Sequence, residues 1–391
     1  MAAFWSKILG DKKADTPQVQ SDTATVQQPP GQATTTLDTQ RTPEEATMAA
    51  DPTNAGILVI GDIFTDAFIQ LNEGSAKVIK EADGREWLAL PFGQKPPYDR
   101  VDIVRSVGPS PNAAVAMARL GLKPNLMAWV GDDDTGREAI AHLDEERVGT
   151  SAMVTEVGNK TSYWYVLRYG ADRTMLVKSE KYKYEWQDPN EVPAWVYLAY
   201  IGEDSWNLHE KLVEYLERNP DVKFAFQPGT FHFQWGAEKL VPIYRRAHIV
   251  IMNREEAADV TGKSIESVHE LAAGLHALGP KIVVITDGPK GSYASYDGHV
   301  VTIPNYPDPA PPLDRTGAGD AFASTIVSAL AQGKDMDTAL RWAPINSMSV
   351  VQKLGAQAGL LDPASIQAFI ASAPADYQVT ELVEGAQPAN G

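Results

Sequence analysis

The sequence predicts an α/β fold in which a mostly parallel central sheet is covered on both faces by helices and a small second sheet lies over one side. Three observations predict it. Short apolar runs rich in β-branched residues recur along the chain, helical stretches bounded by small or charged residues separate them, and two segments break this alternation with one-sided patterns.

The elements follow in order. From Asp11 to Ala50 the chain is rich in Gln, Thr, Pro, Ala and Asp and nearly devoid of large apolar residues, so it cannot bury enough surface to order itself. Residues 1–54 are expected to form a disordered tail. Ahead of it, Phe4, Trp5, Ile8 and Leu9 fall at spacings that share one helical face, suited to a partner or a membrane surface, or belong to a frayed terminus. Residues 55–375 are expected to be the folded domain and 376–391 a carboxyl-terminal tail.

Within the domain, buried parallel strands are predicted at residues 56–60, 126–130, 222–226, 248–252 and 281–285. Helices are predicted between them at 112–120, 135–147, 208–218, 254–261 and 265–278, and then at 317–331, 336–354 and 363–373. Residues 77–105 and 162–184, with strands at 163–167 and 174–178, alternate large and polar side chains and predict a lid sheet with one free face.

Composition narrows the function. The chain has 391 residues, 43% of them hydrophobic, enough for a large core. A formal net charge of -17 argues against a non-specific grip on nucleic acid or anionic lipid, so neither is expected as a partner. There is no cysteine, which excludes disulfides, thiolate zinc sites and cysteine nucleophiles. No apolar run approaches the roughly 20 residues that span a bilayer, and the amino terminus lacks a basic segment followed by a long apolar stretch, so a soluble cytoplasmic protein is expected.

The segment Asp314-Arg-Thr-Gly-Ala-Gly-Asp-Ala-Phe322 carries the chemistry. A helix amino terminus has unpaired backbone N–H groups and positive dipole character, and glycines let an anion approach the backbone. Gly317, Ala318 and Gly319 can thus form an anion hole, with Asp320 in the first turn as a general base. The same residues can also be a plain helix start.

This segment resembles the second signature of the ribokinase-like (PfkB-type) carbohydrate kinase family, and the resemblance spans about residues 57–361. It implies a three-layer α/β/α sandwich with a small β-sheet lid, Asp320 as catalytic base, and the Gly317–Gly319 backbone as the hole for the transferred phosphoryl group. The family's first signature has its counterpart in Val107-Gly108-Pro-Ser-Pro-Asn112-Ala-Ala-Val-Ala-Met-Ala-Arg-Leu-Gly121, where Gly108 and Asn112 match lid-hinge and substrate positions. Asn112 also reads as a helix cap beside Pro111. Val107 departs from the family, which has glycine there; so does Gln227, in Gln227-Pro-Gly229, where an aspartate is common.

Further matches follow in family order. Asp66, in Gly61-Asp62-Ile-Phe-Thr-Asp66, matches a ligand of sugar hydroxyls, or is a strand-end charge. Gly131-Asp-Asp-Asp-Thr-Gly136 resembles a structural strand-to-helix turn. Asn253 and Glu256, in Asn253-Arg-Glu-Glu256, match the element that orders magnesium through water, or form a helix cap. Thr286, Gly288 and Gly291, in Thr286-Asp-Gly-Pro-Lys-Gly291, match a turn on the ATP phosphates, or join two strands. Asn346 falls on the helix that borders adenine, or simply packs there. Asp314 and Thr316 stand where family members hold a monovalent cation.

The resemblance therefore implies an ATP-dependent kinase acting on a sugar, with Mg2+ and with K+ as a candidate activator, and a homodimer formed through the lid. A nucleoside acceptor, stacked on Trp164, Tyr165 or Tyr182, and a non-catalytic sugar or nucleotide sensor are the alternatives.

Overall fold

The computed structural model describes residues 56–170 and 172–383; the expected tail at 1–54, with Phe4, Trp5, Ile8 and Leu9, lies outside them. Continuous apolar runs form a nine-stranded sheet ordered Thr380–Glu381, His299–Ile303, Ser292–Tyr296, Ile282–Thr286, Ile249–Asn253, Lys223–Phe226, Trp195–Leu198, Gly56–Ile60, Lys123–Met127. From Ile282–Thr286 to Lys123–Met127 every pairing is parallel, and the remaining edge is antiparallel.

Side chains of a strand alternate between faces, so each strand feeds two cores. Ile57 and Val59 pack with helices Pro109–Arg119, Ala318–Ala331 and Met336–Val351. Leu58 and Ile60 pack with Trp206–Arg218, Ala237–Arg246 and Val268–Leu278 on the other side. This is the expected three-layer sandwich. Gly61, Gln227, Asn253 and Thr286 all stand at the carboxyl ends of parallel strands, the edge at which open α/β sheets bind ligands.

The lid is a four-stranded sheet ordered Asp172–Leu176, Tyr163–Tyr169, Phe64–Leu71, Tyr98–Val107. Its central strand, Phe64–Leu71, lies outside the segments expected to build it. Residues 77–89, expected within it, form a separate hairpin of Lys77–Lys80 and Glu86–Ala89. Register gives the lid two unlike faces. Asp66, Phe68, Trp164, Val166 and Arg173 share one; Ile103, Ala67, Tyr165 and Leu176 form a row on the other.

Three further expectations change. The strand expected at 126–130 is interrupted at Ala128, and Trp129–Gly131 pairs instead with Val154–Glu156. Tyr182, assigned to the lid as a stacking residue, is buried in the core beside Tyr184, which packs edge-on against Trp129 at 4.9 Å. The residues after 375 do not simply trail: Tyr377 is buried, and Thr380–Glu381 pairs with His299–Ile303 because that edge strand leaves backbone groups open. Among the described residues no helix is long and apolar enough to cross a membrane.

A buried histidine pair braces the loop that carries Gln227. The Ser205 carbonyl only accepts, so His209 Nδ1 donates to it at 2.8 Å; the Gly229 N–H only donates, so His232 Nδ1 accepts from it at 2.9 Å. His232 Nε2 then carries the proton shared with His209 Nε2 at 2.9 Å. Both rings are neutral in this arrangement. Burial pushes His209 down to about 4 and His232 well below its ordinary range. Below pH 6.5 the unfolded chain therefore takes up a proton that folded His209 refuses until about pH 4, and stability falls as pH drops through that window. Urea unfolding should show a loss of roughly 2 kcal/mol from His209 between pH 6.5 and 5. The slope should flatten in His209→Gln; an unchanged slope would assign the acid sensitivity to other groups.

Candidate active site

The helix Ala318–Ala331 begins after Gly317, whose φ of 78° is left-handed. A Cβ there would lie 2.2 Å from that of Ala356, so this position admits only glycine. Gly319 is open to solvent, with nothing within 4 Å of a Cβ position. The segment Gly317-Ala318-Gly319 thus presents the N–H groups of a helix start, of which Ala318 N–H makes only a long bond of 3.5 Å to the Arg315 carbonyl.

Asp320 follows in the first turn, and both of its oxygens are held. Asn112 Nδ2 donates to Oδ2 at 2.8 Å, and Gln227 Nε2 donates to Oδ1 at 3.0 Å. Each amide is itself oriented: Tyr197 donates its hydroxyl to Gln227 Oε1, and Gln357 Nε2 donates to Asn112 Oδ1 at 3.1 Å. Burial raises the Asp320 carboxyl, while the two amides favour its charged form and pull it back. The result is a fixed carboxylate with lone pairs to spare.

Asn112 is therefore neither a helix cap nor, as arranged here, free for a substrate. It is buried, its NH2 is on Asp320, and its oxygen is on Gln357. The cap residue of its helix is Gly108, at φ 122°, where a Cβ would lie 2.9 Å from the Asp62 carbonyl and 3.0 Å from the Phe64 ring. Val107 ends the lid strand opposite Phe64, and the positive φ angles fall on Ser106 and Gly108 at either side, so the departure from glycine costs no backbone strain.

Asp66 lies on the inner lid face, buried, with Oδ1 unpartnered. Its carboxyl is pushed up to about 7, chiefly by burial and then by the charge of Asp314, with Arg173 opposing both. Asp62 is similar: Oδ2 accepts from the Tyr184 hydroxyl at 3.1 Å, Oδ1 has no partner, and burial pushes the carboxyl to about 7. Thr65 Oγ1 and Trp164 Nε1 are also buried without partners, and Trp164 sits directly across from Asp66. Buried polar atoms are nearly always paired, so this cluster is a candidate ligand site.

On the far side of the sheet's carboxyl edge, a cavity of about 500 Å³ is lined by Gly288, Asn305, Tyr306, Arg315, Ala318 and Met348, among others. Thr286–Gly291 is a hairpin turn, with Thr286 opposite Ser292. Gly288 lines the cavity, whereas Gly291 is required by the Ile303 carbonyl, 2.3 Å from its Cβ position. Asn253 and Glu256 form a reciprocal capping box: Glu256 N–H donates to Asn253 Oδ1 and Asn253 N–H to Glu256 Oε2, each at 2.8 Å. Glu256 Oε1 remains outside that box, and burial raises the carboxyl.

Asn346 does not border the cavity with its side chain. It is fully buried, donates to Thr325 Oγ1 at 2.8 Å and accepts from Leu361 N–H at 2.9 Å, so it ties Ala318–Ala331 to the segment after Met336–Val351. Asp133 caps the helix Asp134–Glu145 by accepting from Gly136 N–H. Glu203 starts an exposed turn of 3-10 helix.

Asp314 Oδ1 accepts from Thr316 N–H at 3.0 Å, Thr316 Oγ1 at 2.7 Å and Arg173 Nη1 at 2.7 Å, and Oδ2 accepts from Gly355 N–H at 3.1 Å. Its charge is already met by a guanidinium, so a monovalent cation on Asp314 would face a like charge bonded to the same carboxylate; the residues present do not fit that ion.

Sequence reasoning missed Gln227, Tyr197, Gln357, Asp62 and Arg173 as members of this site. Gln227 had a signal, its departure from the family aspartate. Asp62 stands inside the Gly61–Asp66 motif, where Asp66 alone is singled out; Tyr197, Gln357 and Arg173 are joined by tertiary contact across long separations and stand in no local pattern.

Comparison with known proteins gives the family. Residues 102–363 match the pfkB family carbohydrate kinase. The chain is 28% identical over 295 residues to 5-dehydro-2-deoxygluconokinase of Shouchella clausii, covering 71% of this chain and 90% of that one. Its fold is similar to that of Arabidopsis thaliana ribokinase, solved with ribose and ATP, with a TM-score of 0.66 and 18% identity over 81% of this chain and 99% of the other. It is also similar to that of Methanocaldococcus jannaschii nucleoside kinase, with a TM-score of 0.64 and 18% identity over 81% of this chain and 98% of the other. With two thirds of its length matched and the glycine-cradled carboxylate in place, the chain belongs to the pfkB family of carbohydrate kinases.

Proposed function

We propose that this carbohydrate kinase transfers the γ-phosphoryl group of ATP to a sugar hydroxyl, with Asp320 as general base and the Gly317, Ala318 and Gly319 backbone as anion hole. The observation that carries the proposal is the position of Asp320: one residue beyond the Gly317-Ala318-Gly319 helix start, with both oxygens fixed by amides. Phosphoryl transfer asks the protein for alignment and charge stabilisation rather than covalent chemistry, and this arrangement offers both.

In this reading the acceptor lies under the inner lid face, where Asp66 and, beside it, Asp62 have carboxylate oxygens without partners and Trp164 has an indole N–H to offer. Its hydroxyl gives a proton to Asp320 as its oxygen bonds to the γ-phosphorus, the bond from that phosphorus to the β,γ-bridging oxygen breaks and ADP leaves, and the transferred phosphoryl oxygens turn toward the helix start. The nucleotide occupies the cavity beside Gly288, Arg315 and Ala318. Thr286, at the end of its strand, is available to the phosphates, and Gly291 shapes the turn that holds Gly288. Magnesium, which neutralises phosphate charge when bound, would be held through water by Glu256 Oε1, with Asn253 orienting that carboxylate.

Two observations favour a sugar over a nucleoside. Tyr182 is core and Tyr165 faces outward, leaving Trp164 alone on the inner face, already stacked on Phe64 at 4.1 Å. The similarity to a 5-dehydro-2-deoxygluconokinase supports an acceptor derived from a monosaccharide. The intact amide clamp favours an enzyme over a sensor, and use of ATP suits the cytoplasm.

The outer lid face supports homodimerisation. Ile103, Tyr165 and Leu176 lie in one row across the strands and are exposed, as is Val101 one row further. Sedimentation should find a dimer for the wild type and a monomer for Tyr165→Asp; a wild-type monomer would refute this part.

With Mg–ATP and a panel of sugars and nucleosides, ADP release should single out one sugar and fall by about 10²–10⁴-fold in Asp320→Asn. Retained turnover in that variant would overturn the assignment of the base. Gln227→Leu removes a donor that favours charged Asp320, so its carboxyl should rise further and the acidic limb of the kcat/KM profile should move to higher pH. An unmoved limb would mean that Gln227 does not govern the base.

A further inference from the structure

Arg173 belongs to the lid, yet its guanidinium reaches the segment that precedes the anion hole. By register it shares the inner face with Asp66 and Trp164, and Arg173 Nη1 donates to Asp314 Oδ1 at 2.7 Å. The Asp314 side chain is 4% exposed and that of Arg173 38%, so the pair joins a buried carboxylate to the lid through a partly open cation. Asp314 organises its surroundings by accepting from Thr316 N–H, Thr316 Oγ1 and Gly355 N–H. Uncompensated, its negative charge would stand next to the helix start that must receive a phosphoryl group.

We propose that Arg173 is the resident cation of this site: it neutralises Asp314 when the lid is down, so the anion hole is completed by lid closure and needs no monovalent metal ion. The role presupposes the phosphoryl-transfer reading, and departs from the potassium site that the family resemblance implies. Guanidinium is suited to the task because it is always charged, gives directional hydrogen bonds and sheds water more readily than an ammonium group. Carrying it on the lid ties charge compensation to the presence of an acceptor underneath, which suppresses transfer to water while the lid is raised.

The test compares potassium chloride with tetramethylammonium chloride at equal ionic strength, in wild type, Arg173→Ala and Arg173→Lys. Two readouts are taken: the rate of ADP release with the best acceptor, and the melting temperature of the protein without nucleotide or acceptor. Wild-type rates should agree within about twofold between the salts, and Arg173→Ala should lose about tenfold or more in tetramethylammonium and recover in potassium. Arg173→Lys, which restores a point charge, should keep most of the rate in both salts. Potassium should raise the melting temperature of Arg173→Ala and leave that of the wild type unchanged.

A wild type that is strongly activated or stabilised by potassium overturns the proposal. So does an Arg173→Ala protein that matches wild type in both salts, or whose loss neither potassium nor the lysine variant repairs. If wild type turns over no acceptor, the kinase reading fails, and the melting comparison still decides whether Arg173 occupies the place of a cation.

Discussion

The grip of two side-chain amides on Asp320 is the interaction on which the rest of the site depends. A carboxylate at the mouth of a dense site is pushed toward its neutral form, and a neutral acid cannot take a proton from an attacking hydroxyl. Asn112 and Gln227 oppose that push with donors alone, adding no charge. An aspartate at 227, common in the family, would set a second carboxylate beside the first and raise its proton affinity. Glutamine here does the reverse. Its orientation is enforced from below by the Tyr197 hydroxyl, while the His209–His232 brace holds Gly229, two residues further along the same loop. The parallel strands matter because Gln227 and the Gly61 turn emerge at one edge, facing the helix that bears Asp320.

The lid meets a different constraint. A strand turns successive side chains to opposite faces, so one short strand can serve two purposes. Phe64–Leu71 uses this: Asp66 faces the site and Ala67 the exterior. The inner face and its neighbours contain Asp62 Oδ1, Asp66 Oδ1 and Trp164 Nε1, buried polar atoms without partners, each at a cost of about 1–3 kcal/mol. A ligand with several hydroxyls recovers that cost, which is a physical reason for the pocket to prefer a polyol over an apolar molecule of equal size.

Most of the sandwich was legible in the sequence because its signals are local. Buried parallel strands read as continuous apolar runs, and Gly56–Ile60 and Arg254–Thr261 fall at the expected residues. The strand Phe64–Leu71 was not legible, since it looks like a loop after the first strand and becomes a strand only through partners at Tyr98–Val107 and Tyr163–Tyr169. The same division runs through the site. Gly317 and Asp320 lie within one turn of each other and announce a helix start that can hold an anion. Asn346 was misjudged because position on a helix does not say where an amide spends its hydrogen bonds, and Asn112 because its partners, Asp320 and Gln357, are remote in sequence.

What unites these parts is a segment with no motif of its own. Gly355 donates its N–H to Asp314, Ala356 lies so close beneath Gly317 that a side chain there is excluded, and Gln357 fixes the amide of Asn112 while donating to the Ser106 carbonyl at 2.7 Å. His142 holds the other end of Gln357 at 3.1 Å. Three consecutive residues thus set the Asp314 loop, the height of the proposed anion hole and the orientation of the amide on Asp320, and Gln357 ties them to the end of the lid strand. Movement of the lid at Ser106 would therefore be felt at Asp320 through three hydrogen bonds, Ser106 to Gln357, Gln357 to Asn112 and Asn112 to Asp320, a path short enough for lid position and the geometry of Asp320 to change together.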